Sequence, residues 1–117
     1  MKHRIGMAFT LALASGAALA QAPAGDVARG KAAFLKQGCA ACHGTIGHGG
    51  DRGSGPRIAF EGLWPYAAFA QQTRRPRGVM PRYPADHLPD QELADIYAYI
   101  ASQKPGPKAS DITLLKE

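Results

Sequence analysis

Cysteine is scarce in this sequence: the 117 residues contain two, at positions 39 and 42. A disulfide framework and a four-thiolate metal site are therefore both excluded. A single bridge across so short a loop would constrain the unfolded chain little. Long apolar runs are also missing. Beyond the first twenty residues nothing reaches eighteen apolar residues in a row, as a membrane-spanning helix requires. No stretch sustains the alternation of apolar and polar residues that marks a half-buried strand, so the expected fold class is all-α. Charge of one sign is only mildly in excess, with 14 Lys and Arg against 9 Asp and Glu. That is too weak a balance to argue for nucleic acid.

The first twenty residues read as an address. Lys2, His3 and Arg4 form a basic start, Ile5 to Ala14 is apolar, and Ala18-Leu19-Ala20 is a small-x-small cleavage site. The apolar stretch is too short to cross a bilayer, and no cysteine follows the cleavage site to take a lipid. The expected organisation is a cleaved secretory signal over residues 1–20, one domain over 21–104 and a short tail over 105–117. Removal of twenty residues from 117 leaves 97. Loss of Lys2 and Arg4 lowers the formal charge from +5 to +3. A chain of that size buries a modest core, to which a large bound cofactor would contribute much.

What is present is the run Cys39-Ala40-Ala41-Cys42-His43. Cys-x-x-Cys-His reads as covalent attachment of a c-type haem. Two thiols three residues apart lie on one side of a single backbone turn, so both can add to the vinyl groups on one porphyrin edge. The adjacent imidazole is then placed to bind iron as the proximal ligand. Two other readings exist. A redox dithiol expects a βαβ surround and has no need of His43. A zinc site using His43 and His48 departs from the usual finger spacing.

Around this motif the chain reads as helices joined by irregular segments. A first helix is predicted over residues 26–37, with Asp26 as N-cap, Val27, Gly30 and Phe34 on one face, and Gly38 as the stop. Residues 44–56 are too glycine-rich for regular structure. A second helix is predicted over Leu63–Thr73 with Pro65 in its first turn. The segment from Arg74 to Pro81 is broken by its prolines and glycine. A last helix is predicted over Asp90–Ser102, where Leu93, Ile96, Tyr97 and Ile100 fall at i, i+3, i+4 and i+7.

The second axial position on a haem iron separates electron transfer from catalysis or gas binding. Met80 is the one methionine beyond the signal, 37 residues after His43, in an irregular segment followed by proline. It sits on no apolar periodic face, which points to ligation rather than core filling. His87 is the competing candidate, and His48 a third, too near His43 in sequence to reach the opposite face readily.

With these residues in view, the chain resembles the class I cytochromes c over most of its length beyond the signal. Cys39–His43 matches the haem motif and Met80-Pro81 the distal-ligand dipeptide. Gly55-Pro56 is similar to the Gly-Pro whose proline carbonyl accepts a hydrogen bond from the proximal imidazole. Gly30 and Phe34 resemble the glycine–aromatic pair of the family's first helix. Ile96, Tyr99 and Ile100 resemble the patch on its last helix that crosses the first at that glycine. The resemblance implies a small cytochrome c fold of three to four helices around one covalent haem c, with His43 and Met80 as axial ligands. The short interval between Pro56 and Met80 departs from longer members. It leaves Trp64 and Tyr66 open as propionate partners or core aromatics.

The expected function follows. A six-coordinate iron leaves one-electron cycling as its chemistry, so the protein is expected to be a periplasmic monohaem electron carrier and not an enzyme. Its expected partners are redox proteins: a donor such as a periplasmic dehydrogenase and an acceptor such as a cytochrome oxidase. A dedicated haem subunit of a dehydrogenase complex is the alternative, and a haem enzyme or gas sensor with a labile distal ligand a third reading. Arg74, Arg75, Arg77 and Arg82 read either as a basic rim that steers an acidic partner or as a solvated charge run.

Overall fold

The computed structural model describes residues 22–50 and 54–115. The predicted signal over residues 1–20 lies outside them. Within them the chain is helical, without strands: α1 (Val27–Lys36), α2 (Cys39–His43), α3 (Tyr66–Arg74) and α4 (Asp90–Ser102), with short 3₁₀ turns at Phe60–Gly62, Ala109–Asp111 and Thr113–Leu115. The all-α expectation holds.

α1 begins where Asp26 accepts a hydrogen bond from the Arg29 amide at 2.8 Å, satisfying one of the free donors of the first turn. Its buried face is Gly30, Ala33 and Phe34. Val27, expected on that face, is instead 46% exposed. Gly38, at φ 76°, breaks the helix in the left-handed region that glycine adopts without strain.

α4 has the predicted bounds. Leu93, Ala94, Asp95, Ile96, Tyr99 and Ile100 are buried. Tyr97 points to a different neighbour: its ring packs edge-on against Tyr66 and Phe69 of α3, at 5.2 and 5.3 Å between centroids. α3 starts later than predicted, at Tyr66 rather than Leu63. Trp64 precedes proline and is pushed away from helical backbone, so the helix begins only after Pro65. The preceding residues form the separate turn Phe60–Gly62.

α1 and α4 cross at Gly30. A Cβ there would collide with the Asp95 carbonyl and crowd the Tyr99 side chain, so only glycine permits this approach. Beside it the Phe34 and Tyr99 rings meet at 5.6 Å, inclined by 54°. Asp95 is 3% exposed and fully partnered. It accepts from the Asp26 amide at 2.7 Å, Arg29 Nε at 2.8 Å and Gln91 Nε2 at 3.0 Å. Phe34, Leu88, Leu93, Ile96 and Ile100 are the largest wholly buried side chains, each stabilising the fold by about 1.5–3 kcal/mol. Several of them form one wall of the cavity that borders Cys39 and Cys42.

Candidate haem site

α1 runs through Gly38 directly into α2, so the crossing of α1 on α4 fixes where Cys39, Cys42 and His43 stand. They border a cavity of about 430 Å³, within the usual range for ligand pockets. Phe34, Leu88, Leu93 and Ile96 form its apolar inner wall. Two irregular segments close its sides: Ser54–Ile58 next to His43, and Arg77–Pro81 with Met80 on the other strap.

His43 is 9% exposed, and its Nδ1 lies 2.8 Å from the Pro56 carbonyl oxygen. A carbonyl can only accept, so the proton resides on Nδ1 and the Nε2 lone pair is left free for a metal. The strap that brings Pro56 there is held by small contacts. The Gly49 amide donates to the His43 carbonyl at 2.9 Å, the Gly50 amide to Gly55 at 3.0 Å, and Ser54 Oγ to the Cys42 carbonyl at 3.3 Å. A side chain at Gly55 would run into that Cys42 carbonyl, which explains the glycine before Pro56.

Met80 is half-buried. Its Sδ lies 3.8 Å from Gln72 Nε2 of α3, and the same carboxamide brackets the Arg77 backbone, with contacts of 3.4 Å to its N–H and to its carbonyl. On the far side of the strap, Tyr83 donates its hydroxyl to the Gln37 carbonyl at 2.9 Å. His43 and Met80 thus border the same cavity. His87 and His48 do not: both are exposed, and His87 lies 6.4 Å from the Tyr83 ring.

The arginines separate. Arg74 is structural, pairing with Asp90 at 2.6 Å and donating to the Tyr83 carbonyl at 2.9 Å. Arg77 lines the cavity. Arg75 and Arg82 border an open groove outside it, together with Arg74 and Pro76. Trp64, 54% exposed, lines the cavity, whereas Tyr66 goes to the aromatic cluster with Tyr97. Sequence reasoning missed Arg57, which lines the cavity beside Pro56 while paired with Glu61, and it missed Gln72. Neither carries a motif: each is placed by where its backbone lies.

Cys39 does not resemble an activated thiol. Burial pushes Cys39 up to about 11, whereas a nucleophilic cysteine needs its thiolate favoured near neutral pH. Among the described residues no group of three or more His, Cys, Asp or Glu side chains gathers to hold a metal, so the zinc reading has no ligand set there. An apolar-walled cavity with two thiols on one turn, and an imidazole free at Nε2, does fit a covalently held haem.

The family model described as cytochrome c oxidase, cbb3-type, subunit III matches residues 25–100. The chain belongs to this family of c-type cytochrome domains. No curated protein matches the sequence. The cytochrome c domain implies covalent haem c and haem-based electron transfer with redox partners. The matched span takes in α1 to α4 almost whole, hence both walls of the cavity. No helix among the described residues is long and apolar enough to cross a membrane.

Proposed function

We propose that the protein is a periplasmic monohaem cytochrome that passes single electrons between redox partners. Cys39 and Cys42 would hold the haem as thioethers, and His43 and Met80 would supply the two protein ligands to its iron. The observation that carries this reading is the shared cavity: both thiols, the imidazole and the thioether border it, and each competing histidine lies outside. When bound, haem supplies reversible one-electron chemistry at iron, and a Met/His pair favours the reduced state more than two imidazoles would.

The residues of the chain do the rest. Pro56 fixes the His43 ring and keeps the proton on Nδ1. Phe34, Leu88, Leu93 and Ile96 exclude water from the inner side. Among the described residues no carboxylate lines the cavity, which supports electron passage over acid–base work on a bound oxygen species. The basic, exposed Arg75, Arg77 and Arg82 suit an acidic partner protein, such as a dehydrogenase donor or an oxidase acceptor. The predicted signal supports export, and covalent attachment suits a compartment where a dissociated cofactor would be lost.

The test is Met80→Ala. The variant keeps its haem through Cys39 and Cys42, loses the weak far-red charge-transfer band of an iron–thioether bond, falls in potential and binds carbon monoxide when reduced. If band and potential persist in the variant, another residue is the ligand and His87 is the next to replace.

A further inference from the structure

Gln72 occupies a position that fold-building does not explain. It lies on α3, eight residues before Met80, and is half-buried at the cavity wall. Its amide nitrogen faces the Met80 sulfur at 3.8 Å, within reach for a donor to the large, soft sulfur atom. Its amide oxygen faces the Arg77 N–H, and the nitrogen also lies 3.4 Å from the Arg77 carbonyl. One side chain therefore grips both ends of the Arg77–Met80 turn. That turn has little else to hold it: Gly78 is in the left-handed region at φ 72° with open space around it, and Val79 is 97% exposed.

We infer that Gln72 is the positioning residue for the distal ligand, donating a hydrogen bond to the Met80 sulfur while clamping the turn that carries it. The inference rests on the proposed ligation by Met80. A thioether sulfur has two lone pairs, so one can face the metal while the other accepts from Gln72. Donation to the second pair draws electron density from sulfur, weakens its support of Fe(III) and so favours Fe(II). The clamp also disfavours release of the sulfur, because an unliganded Met80 would have to leave its donor and unwind the turn.

The experiment compares the haem-loaded protein with Gln72→Leu, which has similar bulk and no amide. Three readouts are taken: reduction potential, affinity of the ferric protein for cyanide, which displaces the thioether, and thermal stability of the native and cyanide-bound forms. The expected result is a lower potential, because sulfur regains its full donation to Fe(III). A roughly twofold to fivefold gain in cyanide affinity accompanies it, because release of the turn, equivalent to about one ordinary hydrogen bond, outweighs that stronger ferric bond. Once cyanide occupies the iron in both proteins, their melting temperatures coincide. Unchanged potential and cyanide affinity overturn the inference, as does an equal loss of stability in the native and cyanide-bound forms, which would make Gln72 merely structural. Met80→Ala serves as the reference: if it leaves the charge-transfer band intact, the ligation itself fails, whereas a silent Gln72→Leu beside a bandless Met80→Ala removes only the role of Gln72.

Discussion

The α1–α4 crossing and the two straps that flank the cavity are built in opposite ways. At the crossing, every buried group finds its partner within the protein. Phe34 meets Tyr99, Gly30 admits the Asp95 carbonyl, and the Asp95 carboxylate collects the Asp26, Arg29 and Gln91 donors. The straps, residues 44–50 with 54–59 and 75–88, turn on glycines at positive φ (Gly44, Gly47, Gly49 and Gly78) and spend much of their apolar surface facing the cavity. The difference teaches what the cofactor does for the fold. One region is a core in its own right. The other, apart from Ala59 and Leu88 where it joins the core, has little protein to pack on, and ordering it costs about 1–2 kcal/mol per residue in backbone entropy that a macrocycle in the cavity would offset by burial.

The strongest way to break that contrast is to remove the anchors. Cys39→Ala with Cys42→Ala should leave no covalent haem, seen as loss of haem stain in a denaturing gel. The purified product should retain helical signal while losing a cooperative thermal transition. A sharp, cooperative melt in the double variant would show that the straps order without the ring, and the two regions would then differ in composition only.

Legibility follows the same division. The bounds of α4 and the cap of α1 were readable because both are local: a stripe at i, i+3, i+4, i+7, and an acidic residue three before the amide it accepts from. The attachment motif was readable because its chemistry fixes the spacing. Asp95 was not readable. A carboxylate amid Leu93, Ile96 and Tyr99 looks like a solvent-facing residue until its partners at Asp26 and Arg29, 69 and 66 positions away, are brought against it. Gln72 and Arg57 escaped for the related reason that a turn, not a pattern, carries them to the cavity. Pro65 shows local chemistry setting a boundary: a proline is tolerated in a first turn, which puts the expected start at Leu63, whereas the restriction on the residue before proline moves it to Tyr66.

Asp95 also sharpens the comparison from the side of the crossing, with a smaller expected effect. The hydrogen bond from Arg29, joined by those from Asp26 and Gln91, holds its carboxyl down to about 2 against an ordinary value near 3.8. A carboxyl depressed in the folded state stabilises fully above the unfolded value, and that contribution fades as pH falls from about 4 to about 2. Asp95→Asn should therefore lower stability by about 1–2 kcal/mol at neutral pH. The gap to wild type should narrow on acidification and close only once the pH falls below about 2. Melting curves of both proteins across that window measure it, and a gap independent of pH would mean that the charge of Asp95 contributes nothing to the crossing.

The smallest effect expected is the most informative about how the two regions join. Tyr83 stands on the strap that carries Met80 and lines the cavity, and its hydroxyl reaches back to the Gln37 carbonyl at the end of α1, two residues before the attachment motif. Its own backbone is tied to α3, its amide donating to the Thr73 carbonyl at 3.1 Å and its carbonyl accepting from Arg74 at 2.9 Å. Tyr83→Phe keeps the ring and the backbone ties and deletes one hydrogen bond. Gln37 is only half-buried, so water can reach the carbonyl left behind, and the cost should be about 1 kcal/mol. If the straps open separately from the core, that loss appears locally. Amide exchange around Tyr83 and Leu88 should quicken roughly fivefold, while the amides of Leu93 to Ile100 in α4 should exchange as in wild type. The contrast depends on that separation. Equal acceleration in α4 would mean that strap and crossing unfold as one unit, and that the single bond from Tyr83 to Gln37 already belongs to the core.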